Sequence, residues 1–142
     1  MTGALDPETE AALVAAALAA RENAYAPYSG FRVGAALLDA EGRIHAGCNV
    51  ENAAYPQSQC AEATAIGVMV AAGAWTLKAI AIAGPETGED GPFLTPCGGC
   101  RQRIREFAAA DLPILSCQPR GVVARHTLAE LLPESFGPGH LG

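Results

Sequence analysis

Three cysteines and one glutamate in this chain have the types and spacing of a metal centre. Cys97 and Cys100 lie in Pro96-Cys97-Gly98-Gly99-Cys100, at the opening of a helical stretch. A three-residue step on a helix puts both sulfurs on one face, within reach of one ion. Thirty-seven residues before Cys97, Cys60-Ala61-Glu62 opens another such stretch. Helix N-termini carry partial positive charge and free N–H groups, which favour thiolates over thiols. Two such ends meeting at one point would make a three-thiolate pocket for Zn²⁺. Three protein ligands leave a fourth position for water, the catalytic pattern and not the structural one. Glu62, two residues beyond a ligand, can stand beside that position without binding the ion. There a carboxylate can take a proton from the water and deliver it elsewhere.

Other readings of these residues are weaker. A structural zinc site would want a fourth ligand, yet Cys48, Cys117, His45, His126 and His140 form no second paired spacing. A thioredoxin-like redox pair at Cys97 and Cys100 would leave Cys60 and Glu62 without a role, and the usual preceding strand is missing. A zinc-stabilised module without catalysis, such as one for nucleic acid, would need a closed four-ligand site and a basic groove. The chain instead carries 9 Lys+Arg against 15 Asp+Glu, a net charge of −6. That balance argues against a polynucleotide partner and for a small or uncharged ligand.

Half of the 142 residues are hydrophobic and 17% are charged, which excludes intrinsic disorder and suits one domain spanning 1–142. The first residues lack the basic start and apolar run of a signal peptide, and the stretch Ala11 to Ala20 is too short to span a bilayer. A cytoplasmic protein with no membrane partner is the expectation. In that reducing compartment clustered thiols bind metal or do catalysis more often than they pair. Five is in any case an odd number of cysteines.

The elements that must position the centre follow from pattern and punctuation. Asp6-Pro7-Glu8 is a strong helix start, and that helix runs to about Ala24 before Tyr25 to Gly30 breaks it. Phe31 to Leu38 reads as a buried strand, Asp39 to Gly42 as a hairpin turn and Arg43 to Val50 as the return strand. Glu51 to Gln59 is polar and irregular. Cys60 to Ala72 suits a buried helix, stopped at Gly73. Leu77 to Ala83 is a continuous apolar strand covered on both faces. After the loop Gly84 to Pro96, Arg101 to Ala110 reads as helix, Leu112 to Cys117 and Val122 to Arg125 as strands, and Thr127 to Leu132 as a helical turn. A hairpin followed by strand–helix alternation implies an α/β fold: a mixed sheet with helices on both faces, a three-layer α/β/α sandwich.

From Tyr25 to Phe136 the sequence resembles the small, homotetrameric, three-cysteine cytidine deaminases. The resemblance rests on residues 25–36 (YAPYSGFRVGAA), 47–55 (GCNVENAAY), Cys60-Ala61-Glu62, 96–102 (PCGGCRQ) and 131–136 (LLPESF). The zinc motif alone points to the wider deaminase superfamily; residues 47–55 narrow it to free pyrimidine nucleosides. The resemblance implies a five-stranded sheet, zinc held by Cys60, Cys97 and Cys100, and Glu62 as the proton shuttle. Water activated at zinc adds to C4 of cytosine, Glu62 protonates N3 and then the leaving amine, and uridine and ammonia result. It places Asn49 and Glu51 on the ribose hydroxyls, the Phe31 ring on the pyrimidine and the main chain at Ala61 on the base edge. Tyr55 and Phe136 complete a neighbouring subunit's pocket. Two residues apart at a strand end, Asn49 and Glu51 also point to one side on periodicity alone. That pair argues against a deaminase of the blasticidin type, the main alternative.

One departure stands out. Many relatives carry Arg after Cys-Ala-Glu, where it offsets the charge of a third thiolate, and this chain has Ala63. The two helix N-termini, Arg101, Gln57 and Gln59 are the candidates to compensate.

Overall fold

The computed structural model describes residues 5–142. Helix α1 spans Pro7–Glu22, with Asp6 as its cap; the Asp6 carboxylate accepts the Thr9 N–H at 2.8 Å. The hairpin follows as β1 (Gly34–Asp39) and β2 (Ile44–Cys48). Then come α2 (Ala61–Ala71), β3 (Leu77–Ala83), α3 (Gly98–Arg105), β4 (Pro113–Gln118), β5 (Gly121–Thr127) and the short α4 (Leu128–Leu131). The five strands form one sheet in the order β2-β1-β3-β4-β5. Only β3 and β4 are parallel; the other neighbours are antiparallel. The sheet is therefore mixed, as its hairpin-then-alternation pattern requires.

The two faces of the sheet are packed differently, and β3 shows why. Leu77, Ile80 and Ile82 face one way, against Ala61, Ala65, Ile66 and Met69 of α2, Ile104 of α3 and Leu128 of α4. Ala79, Ala81 and Ala83 face the other way, against Leu13 and Ala17 of α1. Against the sequence expectation, the strand is not apolar throughout: Lys78, near its start, is charged and exposed. Only Ala79 to Ala83 form an unbroken buried run, in which alternation sorts large side chains from small ones. The small face lets α1 approach closely. A Cβ at Gly34 would lie 2.0 Å from the Ala17 carbonyl oxygen and 2.5 Å from the Arg21 nitrogen.

Most element bounds shift by one or two residues from the sequence expectation, and three elements differ for a reason the structure shows. β1 begins at Gly34 and not at Phe31, because residues before it bond to side chains instead of a ladder: Phe31 N–H to Ser29 and Val33 N–H to Asn49. β2 likewise ends at Cys48, leaving Asn49 to Glu51 outside it, although Val50 makes isolated bridges to Tyr25 and Gln59. α3 begins three residues earlier than Arg101 and stops at Arg105. It stops there because Phe107 turns its carbonyl to the Leu77 N–H at the start of β3.

Candidate functional site

Cys60 and Cys97 each occupy the position before a helix. Cys60 caps α2 with φ −72° and ψ 153°, and Cys97 caps α3 with φ −65° and ψ 165°. Neither side chain bonds back to its own helix, so both sulfurs are free to face elsewhere. They face each other at 3.9 Å. Cys100, one turn into α3 and fully buried, brings the third sulfur, and the three Sγ atoms lie within 4.8 Å of one another. Among the described residues this is the one group of three or more such ligands so disposed. Tetrahedral zinc with Zn–S of about 2.3 Å requires sulfurs about 3.8 Å apart. The Cys60–Cys97 separation of 3.9 Å fits that ion.

The thiols themselves point the same way. Burial pushes the Cys100 thiol up most strongly, with the charges of Glu62, Cys60 and Cys97 adding to it. Burial also raises Cys60, together with the charge of Cys97. At Cys97 burial is outweighed by the Cys100 N–H and by sulfur hydrogen bonds, so this thiol is lowered. Three crowded sulfurs that repel one another as thiolates need a divalent cation among them to ionise together. Zn²⁺ is the borderline-soft ion suited to that donor set.

Glu62 sits in the first turn of α2, 5% exposed, and burial raises its carboxyl above the usual range. No side chain among the described residues hydrogen-bonds it. A carboxyl held above its ordinary range by burial, close to a metal centre, is suited to accept a proton and hand it on. Ala61, beside it, is buried.

The candidates to balance the thiolate charge now separate. Arg101 directs its guanidinium to the Pro96 carbonyl (2.7 Å), the Leu131 carbonyl (2.7 Å) and the Thr95 hydroxyl (2.9 Å), where it ties the loop and the tail to α3. Gln57 and Gln59 make no side-chain hydrogen bond to sulfur. Of the two helix N-termini, that of α3 favours a thiolate: without a capping hydrogen bond, its Cys100 N–H still lowers the Cys97 thiol.

Beside this centre lies a second constellation. Asn49 accepts the Val33 N–H at 2.9 Å and donates to the Phe31 carbonyl at 2.8 Å. Glu51 accepts the N–H groups of Tyr28 (2.9 Å) and Ser29 (3.1 Å) on Oε1 and the Ser29 hydroxyl on Oε2. Both side chains therefore reach one segment, residues 28–33, and hold Phe31 with its ring 45% exposed. A cavity of about 260 Å³ is lined by Tyr28, Ser29, Glu51, Tyr55 and Ser58. Tyr55 stands in its wall, its ring 5.7 Å from that of Tyr28. Phe136 is placed apart from these, stacked on His140 at 5.0 Å, with its carbonyl accepting from the Gln102 side chain. Ser29 and Ser58 escaped the sequence reading, because residue by residue Tyr25 to Gly30 reads as a helix breaker and Glu51 to Gln59 as an irregular polar stretch. The one available signal is a serine two residues before an aromatic, the spacing of a local side-chain turn.

The remaining histidine and cysteine candidates stand away from the three sulfurs, His126 with its Nδ1 buried and unpartnered among the described residues. His45 is buried against Asp39 at 2.7 Å, His126 packs on Phe93, and Cys117 is buried in β4. All five cysteines are unpaired.

Comparison with known proteins agrees with this geometry. Residues 7–116 match the family model described as the cytidine and deoxycytidylate deaminase zinc-binding region. A cytidine deaminase of Sporosarcina psychrophila is 44% identical over 124 residues, covering 87% of this chain and 88% of the relative. One of Halalkalibacterium halodurans is 41% identical over 124 residues, covering 87% and 91%. The crystal structure of cytidine deaminase from Burkholderia pseudomallei superposes with a TM-score of 0.80 at 44% identity, covering 89% of this chain and 98% of that one. By its three-sulfur centre, its five-stranded mixed sheet and these relatives, the chain belongs to the zinc-dependent cytidine deaminase family.

Proposed function

We propose that this protein is a cytidine deaminase that hydrolyses cytidine and 2′-deoxycytidine to uridine and 2′-deoxyuridine with release of ammonia, in pyrimidine salvage. The observation that carries the reading is the convergence of Cys60, Cys97 and Cys100 within 4.8 Å, with buried Glu62 two residues from one of them. Bound zinc supplies a Lewis acid that makes a water at its open position acidic near neutral pH. Glu62 takes one proton from the attacking water and passes it to N3 of the base; it then takes the second, from the hydroxyl now on C4, and delivers it to the departing amine as the C4 carbonyl forms. Its burial keeps it free of competing side-chain partners. The Phe31 ring covers the pyrimidine, the main chain at Ala61 reads the base edge, and Asn49 and Glu51 take the sugar hydroxyls. A carboxylate there repels a phosphate, so nucleosides are favoured over nucleotides.

The span 1–142 acts as one catalytic domain within a homotetramer. α2 supports the assembly: Gly67, Val68, Val70 and Ala71 are apolar and exposed. A helix apolar on all sides requires cover. Tyr55 and Phe136, 69% and 56% exposed, are free to complete a neighbour's pocket. Five unpaired thiols suit a reducing compartment, the cytoplasm. No helix among the described residues is long and apolar enough to cross a membrane.

The test is a combined measurement on the purified chain: zinc per chain, mass in solution and loss of cytidine absorbance. One zinc per chain with cytidine turnover is expected, and a zinc-loaded tetramer inert toward cytidine and deoxycytidine sinks the reading.

A further inference from the structure

A single hydroxyl joins the aromatic side of the nucleoside subsite to its carboxylate side. Ser29 Oγ accepts the Phe31 N–H at 2.9 Å and donates its own proton to Glu51 Oε2. The direction is forced, because an amide N–H can only donate and an ionised carboxylate can only accept. Each bond polarises the other and strengthens it. On the far side, Asn49 holds the Phe31 carbonyl and the Val33 N–H. The backbone of Phe31 is thus gripped at both its N–H and its C=O.

Counting lone pairs shows what this leaves open. A carboxylate offers about four acceptor sites. Glu51 uses two on Oε1, for the Tyr28 and Ser29 N–H groups, and one on Oε2, for the Ser29 hydroxyl. One site on Oε2 remains, beside the cavity lined by Tyr28, Ser29, Glu51, Tyr55 and Ser58. Without the Ser29 hydroxyl, Oε2 loses its anchor and the carboxylate can rotate and hydrate.

We propose that Ser29 is a positioning residue for sugar recognition, its hydroxyl fixing the one open acceptor of Glu51 relative to the Phe31 ring. The inference rests on the cytidine reading above. Ser29 touches neither the reacting carbon nor the metal ligands, so its effect belongs to substrate binding. The Ser29 hydroxyl is also the largest of the interactions that hold the Glu51 carboxyl below its ordinary range.

The experiment measures kcat and KM for cytidine, and the Kd of the product uridine, in wild type, Ser29→Ala, Ser29→Thr, Glu51→Gln and the Ser29→Ala/Glu51→Gln double variant. Loss of a hydrogen bond to a charged group weakens binding by roughly tenfold or more. Ser29→Ala is therefore expected to raise KM and the uridine Kd by about that factor, with kcat changed by no more than about twofold. Ser29→Thr, which keeps the hydroxyl, is expected to recover most of the loss. In the Glu51→Gln background the Ser29→Ala penalty in uridine affinity is expected to vanish, since Ser29 acts through that carboxylate.

A penalty that persists without the Glu51 carboxylate, a KM within about twofold of wild type, or a loss confined to kcat overturns the proposal. Should Ser29→Ala fail to fold, Ser29→Cys keeps the bulk with a weak donor and is read in the same way. A wild type inert toward cytidine overturns the assigned activity and this inference together. An active wild type with an indifferent Ser29→Ala sinks the inference alone.

Discussion

Cys60 and Cys97, thirty-seven residues apart, stand at equivalent places: each is the extended residue before a helix, and their sulfurs meet at 3.9 Å. The equivalence comes from the sheet. α2 follows β2 and α3 follows β3, and the ends of those strands lie close together, since Gly34 of β1 pairs with both Cys48 and Ala83. Two helices leaving one end of a sheet bring two N-termini together, as ligand sites at the strand ends of α/β sheets commonly do. The centre is thus a product of topology as much as of motif.

Removal of a ligand separates this centre from the other thiols. Cys97→Ser or Cys60→Ser is expected to lower zinc affinity by at least about a hundredfold, since even an outer partner of a metal ligand costs 10–100-fold. Deamination is expected to be lost with it. Cys117→Ser and Cys48→Ser should keep one zinc per chain. Metal analysis after dialysis against a chelator reads the difference, and full zinc retention in Cys97→Ser would contradict the assignment.

The role proposed for Glu62 separates metal binding from proton transfer. Glu62→Gln keeps the shape and removes the ionisable group. Turnover is expected to fall by about 10²–10⁴-fold, the range of positioned acid–base catalysis. Zinc content should stay the same. A variant that retains more than about a tenth of wild-type activity would require another proton carrier.

Gly34 tests the packing of α1. A methyl group there meets backbone atoms of Ala17 and Arg21, which cannot rotate aside, so the helix must shift off the sheet. Gly34→Ala is expected to cost about 3 kcal/mol or more, at or above the upper end of ordinary overpacking. Chemical denaturation of zinc-loaded protein measures it. A loss below about 1 kcal/mol would mean that α1 docks less rigidly than this contact implies.

Acid stability should depend on Asp39. Burial opposes its ionisation, but hydrogen bonds from His45 and from the Arg43 and Glu41 N–H groups, with the charge of Arg43, outweigh it and hold the carboxyl at about 2 instead of 3.8. A carboxyl whose folded value is depressed stabilises the fold above its unfolded value and loses that contribution as pH falls toward the folded one. The window therefore runs from about pH 4 down to about pH 2. Asp39→Asn is expected to lower Tm at neutral pH and to flatten the decline across that window. The flattening is partial, since Asp6, Glu10, Glu51 and Glu130 are held low as well. Tm measured against pH for both proteins decides it; parallel curves would remove Asp39 from the account.

Much of this was written locally. The Asp6 cap, the apolar run at β3, the hairpin turn at Asp39 to Gly42 and the helical spacing of Cys97 and Cys100 depend on near neighbours, so the residues themselves specify them. Only the tertiary structure decided three other things. Phe31 and Asn49 lie outside the strands their pattern suggested. The Asn49 side chain, sixteen to eighteen residues away, takes the Val33 N–H and the Phe31 carbonyl in place of a ladder, and the Asn49 carbonyl turns to the Tyr25 N–H. Arg101 ties the loop before Cys97 to α4 and turns its guanidinium to carbonyls instead of sulfur, a choice set by which carbonyls the fold brings within reach. Ser29 acquires its link to Glu51 only when the chain returns past β2. Pattern along a chain records which face a residue takes; it does not record which distant atom stands opposite, and that atom determined the partner in each case.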